Sequence, residues 1–77
     1  SLSKNRELTG KTLNVMINGL SSESELLIEG RYYGQAPEAD GVVYINDGTG
    51  LDKIRAGDFV NVKITEAHQY ELVGKVI

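Results

Sequence analysis

The segment EGRYYGQAPEADGVVYI, residues 29–45, reads as two strands joined by a constrained connection. Gly30-Arg31-Tyr32-Tyr33 continues an aliphatic run from Leu26-Leu27-Ile28, and Val42-Val43-Tyr44-Ile45 departs on the far side. Between them lie Gly34, the chain's one proline at Pro37, and Gly41. Pro37 fixes its own φ and pushes Ala36 toward an extended conformation. The glycines permit backbone angles that side chains resist. Two β-type segments around so punctuated a turn point to an antiparallel, all-β protein.

Working outward, the same period-two signal recurs. Residues 11–18 place Leu13, Val15 and Ile17 on one face and Thr12, Asn14 and Met16 on the other. That pattern marks a half-buried strand, and Asn18-Gly19 is expected to turn the chain. A second strand is expected over 24–33, with Gly30 as a bulge or bend of the kind tight barrel curvature requires. A third covers 41–46. A loop with one short turn around Leu51 to Arg55 follows. Residues 59–66 alternate again, with Val60, Val62 and Ile64 opposite Phe59, Asn61, Lys63 and Thr65. Ala67-His68-Gln69 reverses the chain into 70–76, where Leu72, Gly74 and Val76 share a face. Five short strands and no helical period predict a small five-stranded antiparallel barrel of OB type over residues 11–77. Residues 1–10 are polar and read as a linker or entry segment. No internal repeat is expected.

The chain has 77 residues, enough for one domain and one core. It begins with Ser rather than Met, so an excised piece of a longer protein is expected. No long uncharged apolar run signals a membrane span. Cysteine is absent, which excludes disulfides and thiolate metal sites within the chain and fits a cytoplasmic protein.

The net charge of −3 is unevenly spread. Residues 21–52 hold Arg31 against Glu23, Glu25, Glu29, Glu38, Asp40, Asp47 and Asp52, whereas both flanking segments are slightly basic. A nucleic-acid surface carries a basic footprint, because phosphate contacts dominate affinity. The middle of this chain has the opposite sign.

Groups suited to chemistry are sparse. Gly48-Thr49-Gly50 lacks the continuation of a dinucleotide or P-loop motif and reads as a turn. Asp47 and Asp52 lack the ligand spacing of an EF-hand. His68 has neither a cysteine nor a second histidine beside it, and sits in a predicted hairpin. Glu38 and Asp40 lie in a turn sequence where carboxylates organise backbone amides. No nucleophile, base and oxyanion donor assemble, so no catalytic residue and no metal or cofactor site is expected in this chain.

Arg31, Ala36-Pro37-Glu38, Asp40-Gly41 and Val43-Tyr44-Ile45 together resemble the signature of a TRAM domain. The segment is most similar to the C-terminal TRAM domain of radical-SAM methylthiotransferases that modify a small-subunit ribosomal protein (the RimO type). The likeness continues through Gly57-Asp58-Phe59-Val60 and Tyr70-Glu71-Leu72-Val73-Gly74, covering roughly residues 8–77. Ala39 departs from it, since that branch more often has a larger aliphatic residue there.

The resemblance implies a longer parent that uses two [4Fe-4S] clusters and SAM to methylthiolate an aspartate. This chain would then be its non-catalytic recognition module. A basic small-subunit ribosomal protein is the expected partner, met by complementary acidic charge. Arg31, Tyr32, Tyr33, Glu38, Asp40 and Tyr44 are the expected protein-binding residues, Tyr32 or Tyr33 being turned inward by strand alternation. As an alternative, the resemblance implies binding of tRNA or rRNA, with phosphate contacts from Arg31, Lys63 and Lys75. A third reading is a structural lid on the catalytic domain of the same chain, resting on an outward apolar patch of Val43, Ile45, Phe59 and Val73.

Overall fold

A computed structural model describes residues 6–20, 27–32 and 42–77. Five strands follow in order: β1 (Thr12–Leu20), β2 (Ile28–Tyr32), β3 (Val42–Gly48), β4 (Phe59–Ala67) and β5 (Leu72–Val76). They close into a barrel in the order β1-β2-β3-β5-β4, with β4 returning to β1. Four seams are antiparallel as expected, and the β3–β5 seam is parallel. A parallel pair needs a long crossover. Here the 3₁₀ turn Leu51–Lys53 and the whole of β4 supply it.

Alternation decides what lies inside. Leu13, Val15, Ile17, Val43, Ile45, Val62, Ile64 and Leu72 form the buried core, and all are aliphatic. Each such side chain contributes about 1.5–3 kcal/mol on burial. A core this small leaves a net stability of only about 3–5 kcal/mol once chain entropy is offset, so losing two of them would unfold the barrel. Leu8, Leu51 and Ile54 pack against the same cluster from outside the strands.

Several expectations need correcting. Asn18-Gly19 does not turn the chain, because β1 runs on to Leu20. The register instead slips between Ile17 and Gly19, where Gly19 takes a φ of 131°. Gly30, expected as the bulge, keeps regular pairing with Ile17 on the opposite strand. Strand β2 begins at Ile28, leaving Leu27 outside it, and β3 extends to Gly48. The predicted turn at 34–41 lies outside the described residues. Val43 and Ile45, expected on an outward apolar patch, are fully buried.

The barrel also contains an internal repeat that the sequence analysis did not expect. In β1–β2 the pairs are Val15↔Tyr32, Met16↔Arg31, Ile17↔Gly30, Gly19↔Glu29 and Leu20↔Ile28. In β4–β5 they are Val62↔Val76, Lys63↔Lys75, Ile64↔Gly74, Glu66↔Val73 and Ala67↔Leu72. The two ladders have the same register and the same slip at the same place. The segments that lead in also correspond. Gly10 N–H donates to Ile64 O and Gly57 N–H to Ile17 O, while Ile64 and Ile17 donate to Lys11 and Asp58. The seam between the hairpins is symmetric about Asn14↔Asn61, flanked by Leu13↔Val62 and Val15↔Val60. At that centre Asn14 Nδ2 donates weakly to Asn61 Oδ1 at 3.4 Å.

The equivalence extends to contact detail. A Cβ at Gly30 would lie 2.5 Å from Val15 Cγ1 and 2.8 Å from Met16 O. A Cβ at Gly74 would lie 2.5 Å from Val62 Cγ1 and 2.6 Å from Lys63 O. Each hairpin therefore closes over a valine because its return strand carries a glycine. Gly30→Ala and Gly74→Ala should each destabilise the domain by about 1–3 kcal/mol, the usual cost of overpacking. Urea melts check this, and a neutral result at either position would show that the strands do not approach so closely.

Candidate protein-docking surface

Side chains available to a partner stand on the outward positions of the strands, which alternation sets opposite to the core. Arg31 is one of them. It is exposed on β2, between Met16 of β1 and Val42 of β3 in the register. Tyr44 is outward on β3 and half-buried, with Glu29 opposite on β2 and Val73 on β5. Tyr32 faces the other way. It pairs with inward Val15 and packs against the core, so Tyr32 is the inward member of the tyrosine pair. Tyr33, Glu38 and Asp40 lie outside the described residues.

Arg31, Lys63 and Lys75 do not form one cluster. Lys63 and Lys75 sit directly opposite each other on the outward face of β4–β5. Arg31 is next to β1 at Met16, whereas Lys63 meets β1 at Thr12, four residues away along that strand. Among the described residues neither lysine makes an ion pair, although Asp47 stands beside Lys75 in the β3–β5 register. Like charges directly opposite on antiparallel strands are unfavourable.

Two outward features stand apart from the expected protein-binding and phosphate-binding residues. One is the tip of the β4–β5 hairpin, where Glu66 Oε1 lies 3.5 Å from His68 Nε2 and Tyr70 is largely exposed. The other is Phe59, 63% exposed, paired with Met16 across the β1–β4 seam. The phase of Val60, Val62 and Ile64 already placed Phe59 outward; only the register reveals its neighbour. Among the described residues no group of three or more His, Cys, Asp or Glu side chains could hold a metal ion. No helix among them is long and apolar enough to cross a membrane.

A closed five-stranded barrel of this order, with its polar residues outside, belongs to the OB-like class of small binding folds. Within that class the chain belongs to the TRAM domain family, whose model matches residues 9–77. Among curated proteins it is similar to the ribosomal protein uS12 methylthiotransferase RimO of Bdellovibrio bacteriovorus, 46% identical over all 77 residues. It is also similar to the protein of that name from Myxococcus xanthus, 47% identical over 74 residues, or 96% of this chain. The chain spans only 16% and 15% of those relatives' own lengths.

The opposed lysines give a direct test of this surface. Lys63→Glu should raise stability by about 0.2–1 kcal/mol, because Lys75 then faces an opposite charge. The gain should shrink in high salt, which screens exposed pairs. Urea melts at two ionic strengths measure it, and a loss of stability in low salt would contradict the register.

Proposed function

We propose that this chain is the C-terminal TRAM domain of a radical-SAM methylthiotransferase that modifies a small-subunit ribosomal protein. Similarity to the named relatives over 96–100% of the chain is the observation that supports it. The activity, with its two [4Fe-4S] clusters and SAM, would belong to the rest of a cytoplasmic polypeptide. This chain's donor set does not fit a cluster, since it contains no cysteine to supply thiolate ligands.

Within that protein the domain is a recognition module. Its acidic middle segment, with Glu38 and Asp40 foremost, steers a basic ribosomal protein into register, and Tyr33 and Tyr44 anchor it, whereas the charge of Arg31 would oppose such a partner. Complementary charge mainly accelerates encounter and excludes partners of the wrong sign. Aromatic and arginine side chains contribute most of the binding energy where they are desolvated.

One observation favours a second reading. Two lysines facing each other, with no ion pair to either among the described residues, make a ready site for phosphate, as a tRNA or rRNA ligand would require. The lid reading loses the patch it was drawn on, because Val43 and Ile45, two of its four apolar residues, are in the core.

Reversal of charge separates these readings. The double variant Glu38→Lys, Asp40→Lys should bind the basic ribosomal protein about tenfold more weakly at low salt, mainly through a slower on-rate. Surface plasmon resonance against that protein measures it, with circular dichroism confirming the fold. Unchanged affinity in the folded double variant would remove these carboxylates from the docking surface.

A further inference from the structure

The chain contains one phenylalanine and one methionine, and the structure places both outside the barrel, side by side. Phe59, Met16, Arg31 and Val42 form a single register row across four consecutive strands, β4-β1-β2-β3. The core is built without them, from valine, isoleucine and leucine alone.

The internal repeat supplies a control for what the fold demands of this row. By the symmetry of the seam, Phe59 corresponds to Thr12, Met16 to Lys63 and Arg31 to Lys75. The equivalent row is thus Thr12-Lys63-Lys75, polar throughout and held in the same registers. Inward positions behave differently: Val15 and Val62, Ile17 and Ile64, and Gly30 and Gly74 are the same residue in both hairpins, and Leu13 with Val60 and Ile28 with Leu72 are aliphatic in both. The fold needs its inward residues and not an apolar outward row. Something else accounts for Phe59 and Met16.

We infer that the row Phe59-Met16-Arg31-Val42 is a docking surface for the remainder of the polypeptide to which the domain is joined. This rests on the reading that the chain is one domain of a methylthiotransferase. Aromatic residues, methionine and arginine are the types enriched at protein interfaces. Size then decides the occupant. A stable contact between free proteins buries about 800 Å² on each side, or 20–30 residues. A four-residue row provides a fraction of that, which suffices only for a tethered partner at high effective concentration. The relatives offer such a tether, since a chain of this kind makes up 15–16% of their length. The complementary patch is apolar and carries a carboxylate facing Arg31. It is distinct from a basic ribosomal protein, whose charge would oppose Arg31.

The single methionine makes the test direct. Segmental ligation of a ¹³C-methyl-methionine-labelled domain into the full methylthiotransferase polypeptide yields one labelled resonance, that of Met16. Its chemical shift should differ between the free domain and the ligated protein. The difference should collapse in Phe59→Thr, which installs the residue found at the equivalent position and should leave the domain's melting midpoint unchanged. A Met16 resonance that is the same free and ligated would overturn the inference. So would one that moves only when tRNA, the basic ribosomal protein or a higher domain concentration is supplied. Methylthiotransferase assay of the ligated protein keeps the two readings apart. An unmoved Met16 in an active protein defeats the docking surface alone, whereas an inactive protein counts against the parent reading.

Discussion

The barrel depends on how closely two pairs of strands approach. At Gly30 and at Gly74 the return strand of a hairpin lies so near its partner that a Cβ would meet a valine methyl and a backbone carbonyl. Five strands enclose very little volume, and strong coiling is the geometry that closes them. The glycines permit that approach. Val15 and Val62 fill the space beneath, and the register slips beyond Ile17 and Ile64 bend each long strand around the core. Two equivalent hairpins meet at Asn14↔Asn61, and β3 completes the ring by pairing antiparallel with one return strand and parallel with the other.

Much of this architecture was legible in the sequence. Leu13, Val15 and Ile17, and then Val62 and Ile64, alternate without interruption, so β1 and β4 follow from period two alone. What failed was local turn chemistry. Asn18-Gly19 is a strong turn pair, but the seam with β2 extends past it and uses the glycine's positive φ within the strand. The repeat was hidden for a physical reason. Inward side chains and close-approach glycines carry most of the constraint, so apart from the central Asn14 and Asn61 the two halves share few outward residues.

The candidate site was less legible, because period two assigns a face but not a neighbour. Arg31 and Lys63 both read as outward cations, yet pairing places one beside Met16 and the other beside Lys75. Likewise Tyr32 and Tyr33 could not be told apart until Val15 was found opposite Tyr32. The outer surface thus carries distinct regions: the Phe59-Met16-Arg31-Val42 row, the Lys63-Lys75 pair, and Glu29 beside Tyr44. The proposed docking to its own polypeptide and the proposed recognition of another macromolecule would use separate regions of this surface.

The central functional claim is that the other macromolecule is a protein. A paired titration tests it most directly: the folded domain with a basic small-subunit ribosomal protein and, separately, with a tRNA, each at two salt concentrations. The account predicts saturable and tighter binding to the protein, weakening as salt rises. Tighter binding to tRNA would contradict it, and would make the opposed lysines, rather than the acidic middle segment, the centre of recognition.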